Sequence, residues 1–349
     1  MELRSIENAN FSDARVLVRT DFNIERTRLG EIEEHFRLEI VKKTIDHILS
    51  YENVKVALLT HLGRPEGKMS EEFSVKSLVP ALQAALGREV VFVPTCVGEE
   101  VEKALETLPP GSVLLLENVR FFPGEEADDR SFAEALAKPF TAYVNEAFSV
   151  CHRAHASVSA LPKMLPSYAG FRLLQEIDEL DRVRFSPAHP AVAVIGGAKI
   201  ETKLPLIHAF EKNYDCILVG GKVANEAIDQ KIPFGEKVLL PQDFAEGRLD
   251  IGPNTIAYYS QILKMAKTII WNGPLGKFEE KPYNMGTDAI LSAILETDAY
   301  VVIGGGESLA VVERANVMNK IGFVSSGGGA MLDYLSGASL PGLEALKTS

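Results

Sequence analysis

AVAVIGGAK (191–199), CILVGGKVA (216–224), YVVIGGGES (300–308) and GFVSSGGGA (322–330) decide the fold of this chain. In each, an apolar run of strand length empties into paired or tripled glycines. A glycine turn between a strand and a helix leaves backbone N–H groups exposed at the positive end of the helix, an arrangement suited to phosphate. The second half is therefore expected to bind something phosphorylated. Because glycine also serves a tight turn with no ligand, one or two of the four are expected to be plain turns. Lys199 and Lys203 follow Gly196 and Gly197 at a spacing of four, which places both ammonium groups on one face if a helix begins there. Cations are disfavoured at a helix start, so two of them together point to an anion to be neutralised.

Outward from these runs, the first half shows the same rhythm. RVLVRTDF, VKVALLTH, EVVFV, SVLLLENV and AYVNEAF are short and apolar throughout, and amphipathic stretches such as EIVKKTIDHILS and SVKSLVPALQAALG separate them. Strands apolar on both faces belong to parallel sheets covered by helices on both sides. The expected fold is thus α/β, two doubly wound parallel-sheet (Rossmann-like) domains. FRLLQEIDELDRVRF reads as a helix with Leu173, Leu174, Ile177 and Leu180 on its apolar face, and SPAHP (186–190) ends it. We expect a first domain over 1–170, a connecting helix and hinge over 171–190, a second domain over 191–332 and a tail over 333–349 that packs back on the first domain.

The chain has 349 residues, 46% hydrophobic and 24% charged, enough for two cores. A net charge of −12 disfavours general attraction to nucleic acid or an anionic membrane, so any anion must be met by a local cluster of cations. No run approaches the roughly 18 apolar residues of a membrane span, and the start carries no secretory pattern. Cys96, Cys151 and Cys216 are odd in number and far apart, which suggests neither a disulfide framework nor a zinc site. His152 and His155 make a poor metal motif without a neighbouring carboxylate. A soluble protein of the cytoplasm is the expectation.

In the first half, RTDFN (19–23), THLGR (60–64), LENVR (116–120) and NEAFSVCHRAH (145–155) each leave a strand and end in Asp, Asn, His or Arg. The carboxyl ends of parallel strands gather at one edge, where ligands of such folds bind. Arg64, Arg120, Arg153 and Arg37 are therefore candidates to surround one small, highly charged anion, since guanidinium groups match carboxylate and phosphate in pairs. Standard nucleotide motifs fail: GRPEGKM (63–69) has one residue too few for a Walker loop, and GGGESL (304–309) lacks the third glycine of a dinucleotide fingerprint.

Over nearly its whole length the chain resembles the phosphoglycerate kinase family. RTDFN resembles that family's R-V-D-F-N, THLGRP its S-H-L-G-R-P and LLENVRF its L-L-E-N-x-R-F; CHRAHAS, VIGGAKIETK, DIGPNT, WNGPLGKFE, GGGES and SSGGGAMLDYLSG follow in family order. The resemblance implies a hinge-bending, monomeric glycolytic kinase that moves a phosphoryl group between 1,3-bisphosphoglycerate and ADP, giving 3-phosphoglycerate and MgATP. It implies that Asp21, Asn23, Arg37, His61, Arg64, Arg120 and Arg153 hold phosphoglycerate. It implies a nucleotide site of Gly197, Lys203, Gly221, Gly252, Asn272, Pro274, Glu279, Gly304, Gly305, Gly306, Glu307 and Ser308, with Glu307 on Mg²⁺. Arg37, Lys199 and Lys203 are expected around the transferring group. Two other classes stand beside this one: a non-catalytic relative that binds phosphoglycerate or nucleotide, and a nicotinamide dehydrogenase, which the missing fingerprint disfavours.

Departures from the family pattern are specific. The chain is shorter between Gly221 and Leu239 and between Phe244 and Asp250, segments that flank the base side of the nucleotide. Glu307 replaces the aspartate of GGGD, Lys222 and Lys277 stand where smaller or apolar residues are usual, and EEHFR (33–37) replaces an acidic pair while keeping its arginine. The two added lysines are expected to offset the missing segments.

Overall fold

The computed structural model describes residues 2–24 and 36–348, so residues 33–35 of EEHFR lie outside the described residues. Two six-stranded sheets form, and every strand pairing in them is parallel. The first holds β1 (Arg15–Arg19), β2 (Lys55–Leu59), β3 (Val90–Val93), β4 (Val113–Leu116), β5 (Ala142–Asn145) and β6 (Ser167–Ala169), ordered β3-β4-β2-β1-β5-β6. The second holds β7 (Ala191–Ile195), β8 (Cys216–Val219), β9 (Val238–Leu239), β10 (Thr268–Asn272), β11 (Tyr300–Gly304) and β12 (Phe323–Ser325), ordered β12-β11-β10-β7-β8-β9. All four glycine-ended runs are strands of this one sheet, so their turns share its carboxyl edge.

The unbroken apolar strands are explained by their two faces. Val16, Val18, Val56 and Leu58 enter one core, while Leu17, Ala57 and Leu59 enter another on the opposite side of the same sheet. With period two along each strand, both sets must be apolar when helices cover both faces.

Two compact units result. One comprises Met1–Glu176 and Ser339–Ser349, the other Ile177–Ala338. Their division falls inside the helix Phe171–Phe185, on which Leu173, Ile177 and Leu180 are buried while Leu174 is partly exposed. The helix Gly329–Ser336 runs past residue 332 and stops where Gly337 turns left-handed at φ 94°. Strand β6 had no counterpart in the sequence reading: three residues after a proline are too few to show a period, yet Tyr143, Val144 and Asn145 pair with them.

Candidate functional site

In the first sheet, strands β2, β4 and β3 lie to one side of β1, and β5 and β6 to the other. The connections leaving β1 and β5 diverge at that reversal, which opens a place for a ligand at the carboxyl edge. Asp21, two residues beyond β1, receives Arg37 Nη1 at 2.5 Å, the Ser149 hydroxyl and the Asn23 N–H at 3.0 Å. Burial alone would raise the Asp21 carboxyl, but Arg37 and these donors outweigh it and hold it well below the usual range. Arg37 is thereby aimed by an ionised partner. Asn23 Oδ1 accepts the Gly63 N–H at 2.7 Å, and Arg120 Nη1 donates to Gly63 O at 2.7 Å. One glycine thus ties the loops after β1, β2 and β4 together.

Arg120 is 3% exposed, yet its Nη2 has no hydrogen-bond partner among the described residues. Its Nε lies 3.3 Å from Glu126 Oε1, close enough for attraction but off the line of a hydrogen bond. Burial, then Arg153 and Arg19, lower Arg120 to about 10, so it stays charged at neutral pH. His61 is pushed well below its ordinary value by burial, against the pull of Asp21, and His155 to about 3 by burial and then Arg120. Both imidazoles are neutral in a field set by arginines. Arg153 joins this cluster through its electrostatic effect on His61 and Arg120. Arg64 follows the shared Gly63 and is exposed. A buried cation with an unmet donor, flanked by further arginines, is built for a multiply charged anion.

Sequence reasoning missed the layer below. Arg19 is fully buried; its Nε donates to Ser157 Oγ at 2.9 Å and its Nη2 lies 3.4 Å from His61 Nδ1. Glu125, also fully buried, accepts the Ser157 N–H at 2.9 Å and hydroxyl at 2.6 Å, and lies 4.0 Å from Arg19. An arginine ending an apolar strand was the available signal, since such a charge must be paired when the strand is covered.

In the second sheet the reversal lies between β7 and β10. There the strand ends press together: a Cβ on Gly196 would lie 2.2 Å from Pro274 O, and one on Gly273 2.4 Å from Gly196 C. The Gly197 N–H donates to Pro274 O at 2.7 Å. Gly221 at φ 63° sits equally close, 2.8 Å from Pro274 O if given a Cβ. Only glycine permits this approach, and a cavity of about 600 Å³ opens beside it, lined by Gly197, Gly221, Lys222, Pro274, Lys277, Glu279 and Glu307 among others.

Lys203 is 7% exposed and its ammonium donates to Asn272 Oδ1, while Asn272 Nδ2 donates to Gly304 O at 2.6 Å. Gly305, at φ 103°, begins the helix Gly306–Arg314, and the Ser308 hydroxyl accepts the Gly273 N–H at 2.7 Å. Ends of β7, β10 and β11 are thus locked around one buried cation. Burial lowers Lys203 to about 8, against the pull of Glu307. Glu307 is raised by burial and by Glu279, so the two carboxylates bear on the same place.

One placement differs from expectation. Lys199 and Lys203 do not share a helix face: a 3₁₀ turn, Ile200–Thr202, separates them, and the helix begins at Leu204. Lys199, at φ 67°, is exposed, and Lys203 is buried, because the left-handed residue redirects the chain between them. The Gly252 N–H donates to Asp243 O at 2.8 Å, the Asp243 carboxylate fills the space a side chain would need, and Gly252, like Lys203, Asn272, Gly304 and Ser308, stands outside the cavity lining itself. Asn225 and Arg248 do line it, and neither was singled out from the sequence.

The phosphoglycerate kinase family model matches residues 6–246 and 231–338. The two matches overlap at 231–246, as a chain that skips part of the pattern there would give. A phosphoglycerate kinase of Moorella thermoacetica is 37% identical over 388 residues, covering 98% of each chain, and one of Herpetosiphon aurantiacus is 38% identical over 99% of each. The crystal structure of phosphoglycerate kinase from Pyrococcus horikoshii superimposes with a TM-score of 0.87 at 28% identity, over 99% of this chain and 98% of that one. The 388-residue alignment is longer than this 349-residue chain, so the chain lacks stretches that this relative has.

Proposed function

The chain belongs to the phosphoglycerate kinase family, and from this we infer how its own residues carry out the reaction, the reversible transfer of a phosphoryl group from 1,3-bisphosphoglycerate to ADP giving 3-phosphoglycerate and ATP. Phosphoryl transfer asks the protein mainly for alignment and for neutralisation of charge on the moving oxygens. In our reading the Arg120 and Arg153 cluster, with Arg64, His61, Asn23 and Asp21, holds phosphoglycerate on the first unit, and Arg37, aimed by Asp21, faces the transferring group. The nucleotide phosphates lie on the second unit against Lys203 and the Gly304–Gly306 turn, with Ser308, Asn272 and Gly221 shaping the wall. Lys199, exposed beside Gly197, completes the charge around the moving phosphoryl group.

No general base is required, because the acceptor oxygen of ADP is already an anion. Mg²⁺ takes one or two carboxylates together with phosphate oxygens, and Glu307 beside Glu279 fits that demand; bound there it would neutralise nucleotide charge. Since the two substrates are assigned to different units, turnover needs a hinge-bending step, which also excludes water from the acyl phosphate. We assign a monomer acting in the cytoplasm; sedimentation velocity at a single species of the 38.1 kDa chain is the expected result, and a stable dimer contradicts it.

The observation that carries the reading is the buried Lys203 ammonium clamped by Asn272, which also grips the Gly304 turn. Release of ADP from 3-phosphoglycerate and MgATP tests it. Lys203→Ala should lower kcat/KM by roughly 10²–10³. A wild-type protein that binds 3-phosphoglycerate without turnover would refute catalysis.

A further inference from the structure

We propose that Arg248 is the residue on which the nucleotide base rests in this chain, an inference that depends on reading the second site as the nucleotide site. Arg248 lines the cavity and lies between Phe244 and Asp250, one of the two stretches read from the sequence as shorter than the family pattern. Its side chain is held along its whole edge. Nε donates to Asn225 Oδ1 at 3.1 Å, Nη2 to Asn225 O at 3.0 Å and Nη1 to Asp229 Oδ1 at 2.8 Å, while Asn225 Nδ2 returns a bond to Arg248 O at 2.9 Å. One face of the guanidinium lies over the Phe244 ring, 5.3 Å from its centroid. A planar cation locked at its edge and backed by an aromatic ring retains one face for a ligand, and a base stacks well on such a plane.

The backbone of the neighbouring wall offers little to read the edge of a base. Gly197 N–H is given to Pro274 O, Gly221 N–H to Leu275 O, and Leu249 O accepts the Lys277 N–H at 2.8 Å. With these groups engaged, the base is gripped by its face, and stacking accepts any purine. A loop arginine that reaches back to the helix Gly221–Asp229 thus takes over the base side left by the missing segments.

The backbone supplies a clean test. Arg248 sits at φ 56°, a conformation glycine adopts without strain, so Arg248→Gly removes the platform while leaving the turn at least as comfortable. Kinetics with 3-phosphoglycerate and either ATP or GTP should show similar KM values for the two nucleotides in the wild type. In R248G both should rise about ten-fold, with kcat and the KM for 3-phosphoglycerate little changed and the melting temperature lowered by a few degrees through the lost bonds to Asn225 and Asp229. Arg248→Lys, which keeps the charge and loses the plane, should resemble R248G. The inhibition constant of tripolyphosphate, which has no base, should be the same in all three proteins. An unchanged KM for ATP in R248G, or a tripolyphosphate constant that rises in step with it, overturns the platform. A wild type that neither turns over nor binds ADP overturns the nucleotide reading itself and the platform with it.

Discussion

A lysine beside a phosphate is useful only while it is charged, and Lys203 has been brought close to the limit. Burial takes it from about 10.5 to about 8, so the free enzyme carries the ammonium below that pH and loses it above. Because kcat/KM reports the free enzyme, its value for the nucleotide should fall as pH rises through about 8. In Asn272→Ala the Gly304 turn loses its tie, and the pH midpoint should move; a profile flat to pH 10 in the wild type would contradict the role. Lys203 stood out in the sequence because it sits in the long motif VIGGAKIETK, and Arg37 only because EEHFR keeps the arginine of a motif it otherwise departs from. Arg19, Glu125 and Arg248 were not, since a lone charge carries no period, and its meaning arises only from what folding buries around it.

At the scale of an element, the helix Phe171–Phe185 begins on a carboxylate. Glu146 Oε2 accepts the Leu173 N–H at 2.9 Å, Oε1 accepts the Arg172 N–H at 3.2 Å, and Thr44 donates its hydroxyl. Complete burial outweighs these donors and raises Glu146 to about 7. Its folded value exceeds its unfolded value, so the folded state binds the extra proton between about pH 4.5 and 7, and stability falls as pH rises through that window. Glu146→Gln keeps an acceptor oxygen and cannot ionise. Urea unfolding should lose a pH-dependent component on the order of 2–3 kcal/mol across this window, and an unaltered slope would show that another group titrates. The helix itself was readable from its 3.6-residue period, whereas its cap was not, because Glu146 lies 25 positions upstream on another strand end.

For the whole molecule, the last residues belong with the first. Residues 339–349 are part of the first unit: Arg4 donates to Ala345 O at 2.8 Å, the Gly342 N–H to Cys151 O at 2.9 Å, and Leu343 and Leu346 are fully buried. A Cβ on Gly342 would lie 2.6 Å from Val158, so the segment packs without slack. Ending the chain at Ala338 exposes the surface that Leu340, Leu343 and Leu346 cover, a loss of about 1.5–3 kcal/mol for each. Calorimetry of that truncation should show the transition of the first unit shifted down by about 10 °C or more and that of the second little moved. Coincident shifts of both would mean that the units unfold as one.

By itself the sequence determined the α/β class, the parallel sheets and the family, because continuous apolar strands, helical periods and strand-end glycines are local signals that repeat along the chain. Tertiary structure alone decided which strand ends meet, that Lys203 is buried while Lys199 is exposed, that Gly252 packs against Asp243, and that Arg248 reaches Asn225 and Asp229. Those outcomes depend on desolvation and on pairs of residues far apart in sequence. Neither quantity exists until the sheets have closed over their helices.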